Sequence, residues 1–92
     1  MYLEIVSPEA TLFSGEVTSV TVPGVNGEFQ ILNGHAAIVS LLQKGNVRVD
    51  GNITIEGAYA SKFSKDASGK VTLPIASGTV EMSDNRVIIL AD

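Results

Sequence analysis

The sequence predicts an all-β fold, a sandwich or barrel of short strands, on three observations. Apolar residues recur at a period of two through most of the chain, the pattern of strands with one buried and one wet face. Turn-forming residues fall between these stretches at short intervals: Ser14-Gly15, Asn26-Gly27, Asn33-Gly34, Lys44-Gly45-Asn46, Asp50-Gly51-Asn52, Ser77-Gly78 and Ser83-Asp84-Asn85. Several of them supply residues that tolerate positive φ, as two-residue hairpins require, so neighbouring strands are expected to pair antiparallel.

Leu3 and Ile5 alternate with Glu4 in the first strand, and Val20 and Val22 with Thr21 in a later one. The turn-rich lead Val22-Pro23-Gly24-Val25-Asn26 opens onto a strand-length stretch, Gly27-Glu28-Phe29-Gln30-Ile31-Leu32, then a tight Asn33-Gly34 turn and the only histidine, His35. From Ala36 to Gln43 helix and strand compete, because Ile38, Val39, Leu41 and Leu42 fit either spacing. The shortness of this stretch and the β-branched pair Ile38 and Val39 favour a buried or bent strand leading into Lys44-Gly45. Alternation resumes with Val47 and Val49 about Arg48, Ile53 and Ile55 about Thr54, Val71 and Leu73 about Thr72, and Val80 and Met82 about Glu81; Asp50-Gly51-Asn52 is the clearest hairpin turn. Gly57 to Lys70 shows no clean period and reads as a long polar loop with two aromatic anchors, Tyr59 and Phe63. Lys62, Lys65 and Lys70 make it the only candidate basic patch, for which a solvated loop is the simpler explanation. No repeat, low-complexity tract or linker divides the chain, so one domain over residues 1–92 is expected.

Composition narrows the function classes. A chain of 92 residues buries roughly 60–65% of its unfolded surface, enough to fold without covalent staples. It has no cysteine, which excludes disulfide scaffolds, thiolate zinc sites and thiol nucleophiles. The apolar runs reach only about four residues, as in Val87 to Leu90, against the ~20 that a membrane-spanning helix needs. No basic segment precedes an apolar core at the N-terminus, so no secretory signal is read there. Six Lys plus Arg against ten Asp plus Glu give a net charge of −4, from which a phosphate-binding face cannot be built, so no nucleic-acid partner is expected.

Catalytic and cofactor chemistry finds little to stand on. His35, Glu28, Ser40 and Asp50 could be assembled into an acid/base or triad reading, but the G-x-S-x-G elbow and its strand-turn-helix context are missing. One histidine and scattered carboxylates do not make a metal site. Ser68-Gly69-Lys70 has the end of a phosphate loop, yet Ser64 stands in the first glycine position and Val71 where a hydroxyl would hold magnesium. No catalytic residue, metal or cofactor is assigned. His35 has two readings: a structural imidazole bonded to a nearby carbonyl, or an exposed contact on a hairpin tip beside Glu28, Phe29 and Gln30. The residues alone therefore yield a small acidic β-sandwich that acts as a binding or structural module.

The segment Gly27 to Val39, with its Gly-Glu-(apolar) and Gly-His-Ala-(x)-(apolar) order, resembles the signature of the epsilon subunit of F-type ATP synthases. The opening Leu3-Glu4-Ile5-Val6-Ser7-Pro8-Glu9 with Leu12-Phe13-Ser14-Gly15 is similar to the family's N-terminal stretch. Ala76-Ser77-Gly78-Thr79-Val80-Glu81 and Asn85-Arg86-Val87-Ile88-Ile89-Leu90-Ala91-Asp92 are similar to its two last strands. The resemblance implies a flattened sandwich of about ten short strands. It implies a non-catalytic rotor subunit at the foot of the central stalk, which links the gamma subunit to the ring of c subunits and couples proton flow to ATP synthesis. Carried over by position, Glu28, Phe29 and Gln30 face the ring with His35 beside them, and Ser7, Ser40 and Leu42 fall on the gamma-facing side. The expected location is peripheral, on the cytoplasmic face of a bacterial inner membrane, with membrane contact only through the complex.

Two features depart from the family pattern. Members usually continue past Leu-Ala-Asp into an alanine-rich pair of helices that can inhibit ATP hydrolysis and in some bacteria bind ATP; here the sequence ends at Asp92. No helical domain, inhibition or nucleotide sensing is therefore expected. Gly57 to Lys70 is also longer than the hairpin loop expected at that place, and is a candidate lineage-specific contact. The alternative is a stand-alone ligand- or carbohydrate-binding sandwich, for which a chain with no tryptophan and two tyrosines is poorly equipped.

Overall fold

Period-two alternation organises the computed structural model, which describes residues 1–55 and 57–92, into ten strands. They are β1 Tyr2–Val6, β2 Thr11–Glu16, β3 Ser19–Gly24, β4 Gly27–Leu32, β5 Ile38–Leu42, β6 Gly45–Asp50, β7 Ser64–Lys65, β8 Val71–Ile75, β9 Gly78–Ser83 and β10 Arg86–Ala91. One hydrogen-bonded path, β2-β1-β10-β9-β5-β3-β6-β8-β7, carries β4 on the other side of β3. The path curls where Gly24 of β3 meets Leu42 of β5, so that a β2-β1-β10-β9-β5 layer packs on a β4-β3-β6-β8-β7 layer. Pairing is antiparallel as expected, except that β1 and β10 run parallel.

Alternation decides what lies between the layers. Leu3, Ile5, Val80, Val87 and Ile89 from one layer and Val20, Val22, Ile31 and Val47 from the other are fully buried. Fixing the register of these side chains fixes every outward residue, because a one-residue slip would turn the core set into water. The turns obey the same logic. Asp84 and Asn85, at φ 51° and 61°, form the two-residue loop between β9 and β10, and Val25-Asn26 closes β3 on β4 with Gly27 at φ 120°.

Four sequence expectations need correction. Ile53 to Ile55 is not a strand and Asp50-Gly51-Asn52 is not a hairpin, because β6 already has both edges taken by β3 and β8. Ile53 and Ile55 instead pack against the core as half-buried side chains, close to Phe13 on β2 and to Phe63. The Gly57 to Lys70 loop holds a single 3-10 turn, Ala60–Lys62, and the short β7; Phe63, half-buried like Tyr59, packs against the core. Asn33-Gly34 does not fold the following stretch back on β4 but carries the chain across to the other layer, where β5 pairs with β9. Finally, β5 is not a buried strand: its outward residues Val39 and Leu41 are 78% and 62% exposed.

Candidate functional site

Two strands of the β2-β1-β10-β9-β5 layer, β5 and β10 on either side of β9, put aliphatic side chains on their outer face. On β5, Leu42 is in the core, so Val39 and Leu41 must point out; on β10, Val87 and Ile89 are in the core, so Ile88 and Leu90 point out. Register then gathers them. Leu41 and Leu90 both lie opposite Thr79 of β9, and Val39 and Ile88 both lie opposite Glu81. Val25, also exposed, joins through its backbone N–H, which donates to the Leu41 carbonyl at 3.2 Å. A solvated sheet face gains nothing from five clustered aliphatic residues, so this arrangement has the character of a contact surface. A shallow groove of about 470 Å³ runs between Val25, Leu41 and Leu90 over Thr79 and Gly78. At its rim the Asp92 carboxylate accepts a hydrogen bond from the Ser77 hydroxyl.

The residues expected to face gamma lie on or near this layer in different ways. Ser7 is half-buried in the β1–β2 turn, where its hydroxyl donates to the Ala10 carbonyl at 3.2 Å and closes the turn. Ser40 is half-buried on β5, its hydroxyl bonded to the Leu41 carbonyl at 3.3 Å. Leu42 is 3% exposed, so its side chain is a core element and cannot touch a partner. Sequence reasoning missed its neighbours Val39 and Leu41, and also Ile88 and Leu90. The signal was present: an uninterrupted apolar run in a strand with one wet face must send half its side chains outward.

The residues expected at the ring separate along β4. Glu28 and Gln30 are exposed on its outer side, while Phe29 turns inward and packs against the core. Glu28 pairs with Arg48 of β6, and the Gln30 amide donates to the Ser19 hydroxyl at 3.4 Å. His35 is not beside Glu28. It follows Leu32 at the far end of β4, and Glu28 to Leu32 spans about 13 Å at the usual strand rise. There the His35 N–H closes a turn on the Leu32 carbonyl at 3.0 Å, with Gly34 at φ +78°, and Nδ1 donates to the Ala36 carbonyl at 2.7 Å. This is the structural-imidazole reading of His35, though the ring remains exposed. The turn is tied to the β9–β10 hairpin: Gly34 N–H donates to Asn85 Oδ1 at 2.8 Å, and Asn85 Nδ2 to Asn33 Oδ1 at 2.9 Å.

The lysine-bearing loop is ordered by its own aspartate. The Ser68 hydroxyl at 2.7 Å, and the N–H groups of Lys70 and Ser68 at 3.0 and 2.9 Å, converge on Asp66 Oδ1. These bonds, the hydroxyl first, hold the Asp66 carboxyl below the ordinary aspartate value of 3.8. Beneath the loop a cleft of about 520 Å³ is lined by Ser7, Glu9, Lys62 and Leu73 among others.

Known proteins resemble this chain over nearly its whole length. The family described as ATP synthase, Delta/Epsilon chain, beta-sandwich domain matches residues 1–92. The ATP synthase epsilon chain of Chlorobaculum tepidum is 40% identical over 90 residues, covering 98% of this chain and 86% of the relative. That of Campylobacter fetus is 38% identical, and this chain spans all of its own length but 60% of the relative. Among solved structures, a chain of the Tetrahymena thermophila mitochondrial ATP synthase central stalk and c-ring shares the fold at TM-score 0.75 and 15% identity, over 98% of this chain and 61% of that one. A chain of the Euglena gracilis mitochondrial ATP synthase shares it at TM-score 0.73 and 22% identity, over 97% of this chain and 48% of that one.

Proposed function

We propose a function that proceeds from one fact: this chain belongs to the family of the ATP synthase delta/epsilon chain β-sandwich domain. It serves as a non-catalytic part of the central stalk, seated between the gamma subunit and the ring of c subunits, and carries rotation between proton flow and ATP synthesis. The gamma subunit docks on the outer face of β5, β9 and β10, through Val39, Leu41, Ile88 and Leu90, with Ser7 at its edge, while Ser40, paired with the buried Val80, faces the other side of β5. Glu28 and Gln30 of β4 meet the ring, and Phe29 braces them from beneath. The chain sits peripherally at the cytoplasmic face of the membrane and reaches the bilayer only through the ring. Among the described residues no helix is long and apolar enough to cross a membrane.

The observation that carries this reading is the aliphatic face itself, since four residues 39–78% exposed on the two strands that flank β9 leave water only when a partner covers them. A rotor element also needs a rigid body, and a sandwich with a continuous core and a shared register transmits load without bending. Calorimetric titration with the gamma subunit of the same source tests the reading. One-to-one binding that weakens when Val39 and Leu41 are both replaced by Ser supports it; absence of binding at high micromolar concentration overturns it.

A further inference from the structure

Glu81 stands in the middle of the aliphatic face. On β9 it is exposed, with Val39 of β5 directly opposite on one side and Ile88 of β10 on the other. Among the described residues no cation pairs with it. Arg86 is its diagonal neighbour across the β9–β10 pair, but that guanidinium lies 5.1 Å over the Tyr2 ring of β1. Glu4 of β1, opposite Ile88, adds a second negative charge to the same row.

We propose that the partner docking on this face presents one guanidinium or ammonium group to Glu81, and that this single ion pair within an aliphatic contact fixes which partner binds and in what register. The inference rests on the reading of this face as the gamma-docking surface and names the chemistry that surface selects. The reasoning is one of desolvation. An aliphatic partner would seal the carboxylate between Val39 and Ile88 with nothing to replace its water, and an unpaired charge in a closed contact outweighs the gain from the methyl groups around it. A partner with a cation at that point turns the same carboxylate from a penalty into a positioning contact, and rejects competitors that lack one. A second copy of this chain is the wrong occupant. Two-fold packing of the face on itself brings Glu81 and Glu4 toward the same carboxylates of the other copy, so the surface resists self-association.

The test compares the parent chain with Glu81→Gln, Glu81→Lys and Leu41→Ser in calorimetric titrations against the gamma subunit, at low and at high salt. Glu81 is exposed, so its variants should melt with the parent and differ only in binding. Loss of at least about tenfold in affinity for Glu81→Gln, with a weaker salt dependence, and no measurable binding for Glu81→Lys are the expected results. Leu41→Ser separates the two levels of the argument. If it weakens binding while Glu81→Gln binds as tightly as the parent, the ion pair is overturned and the docking face stands. If both bind as the parent does, the face itself is wrong and the inference falls with it.

Discussion

Leu41 and Leu42 are adjacent, chemically identical and predicted to behave in opposite ways. Leu42→Ala removes a side chain that is 3% exposed from between the layers, and such truncations cost about 3 kcal/mol once the residual cavity is included. In a domain of 92 residues that lowers the melting temperature by roughly 15 °C, at about 5 °C per kcal/mol. Leu41 is 62% exposed, so little more than a third of the ~2 kcal/mol available from burying a leucine is realised in the free protein. Leu41→Ala should therefore cost under about 1 kcal/mol and shift melting by only a few degrees. On docking the exposed fraction is covered, so the same change should weaken gamma binding by about 1–1.5 kcal/mol, close to tenfold. Differential scanning calorimetry and titration calorimetry on both variants read the two effects separately. If Leu41→Ala melts as low as Leu42→Ala, or if folded Leu42→Ala loses more affinity than Leu41→Ala, the alternation assigned to β5 is wrong.

Other outcomes follow from single contacts. A Cβ added at Gly78 would sit 2.3 Å from the Leu90 carbonyl oxygen, so Gly78→Ala must push β9 from β10 and should cost roughly 2–3 kcal/mol by thermal melting. Asn85→Ala places alanine at φ 61° and removes the bonds to Gly34 and Asn33; a loss of about 2 kcal/mol is expected, and less for Asn85→Gly, which keeps the backbone geometry. Because folding lowers the Asp66 pKa below 3.8, its carboxylate helps hold the loop at all pH values above that range, and the help is lost as pH falls through the native value. An NMR titration should place the Asp66 midpoint below 3.8, and Asp66→Asn should remove the pH dependence of the Ser68 and Lys70 amide shifts there.

Most of the strands were legible because alternation reports burial directly: Leu3 and Ile5, Val20 and Val22, Val47 and Val49, Val80 and Met82 all lie inside, as their spacing implies. What alternation cannot report is pairing. Ile53 and Ile55 carry the same pattern as Val47 and Val49, yet both edges of β6 were already occupied, and only the tertiary arrangement shows that. The parallel join of β1 to β10 is likewise a contact between chain ends that no local signal encodes. For the expected contact residues only exposure can be compared. Glu28 and Gln30 are exposed as expected, whereas Leu42 was assigned one position away from the residues that reach solvent, Leu41 and Val39. His35 was drawn to Glu28 by sequence proximity, and the length of β4 separates them.

The central claim is that two separate surfaces engage two partners, and a chain without cysteine allows it to be tested by single-site labelling. Val39→Cys and Gln30→Cys variants would be reacted with a maleimide in three states: alone, with the gamma subunit, and in the whole complex containing the ring. The account predicts that gamma alone slows labelling of Val39→Cys by at least about tenfold and leaves Gln30→Cys unchanged, while the whole complex protects both. Protection of Gln30→Cys by gamma alone, with Val39→Cys still labelled at its free rate, would contradict it.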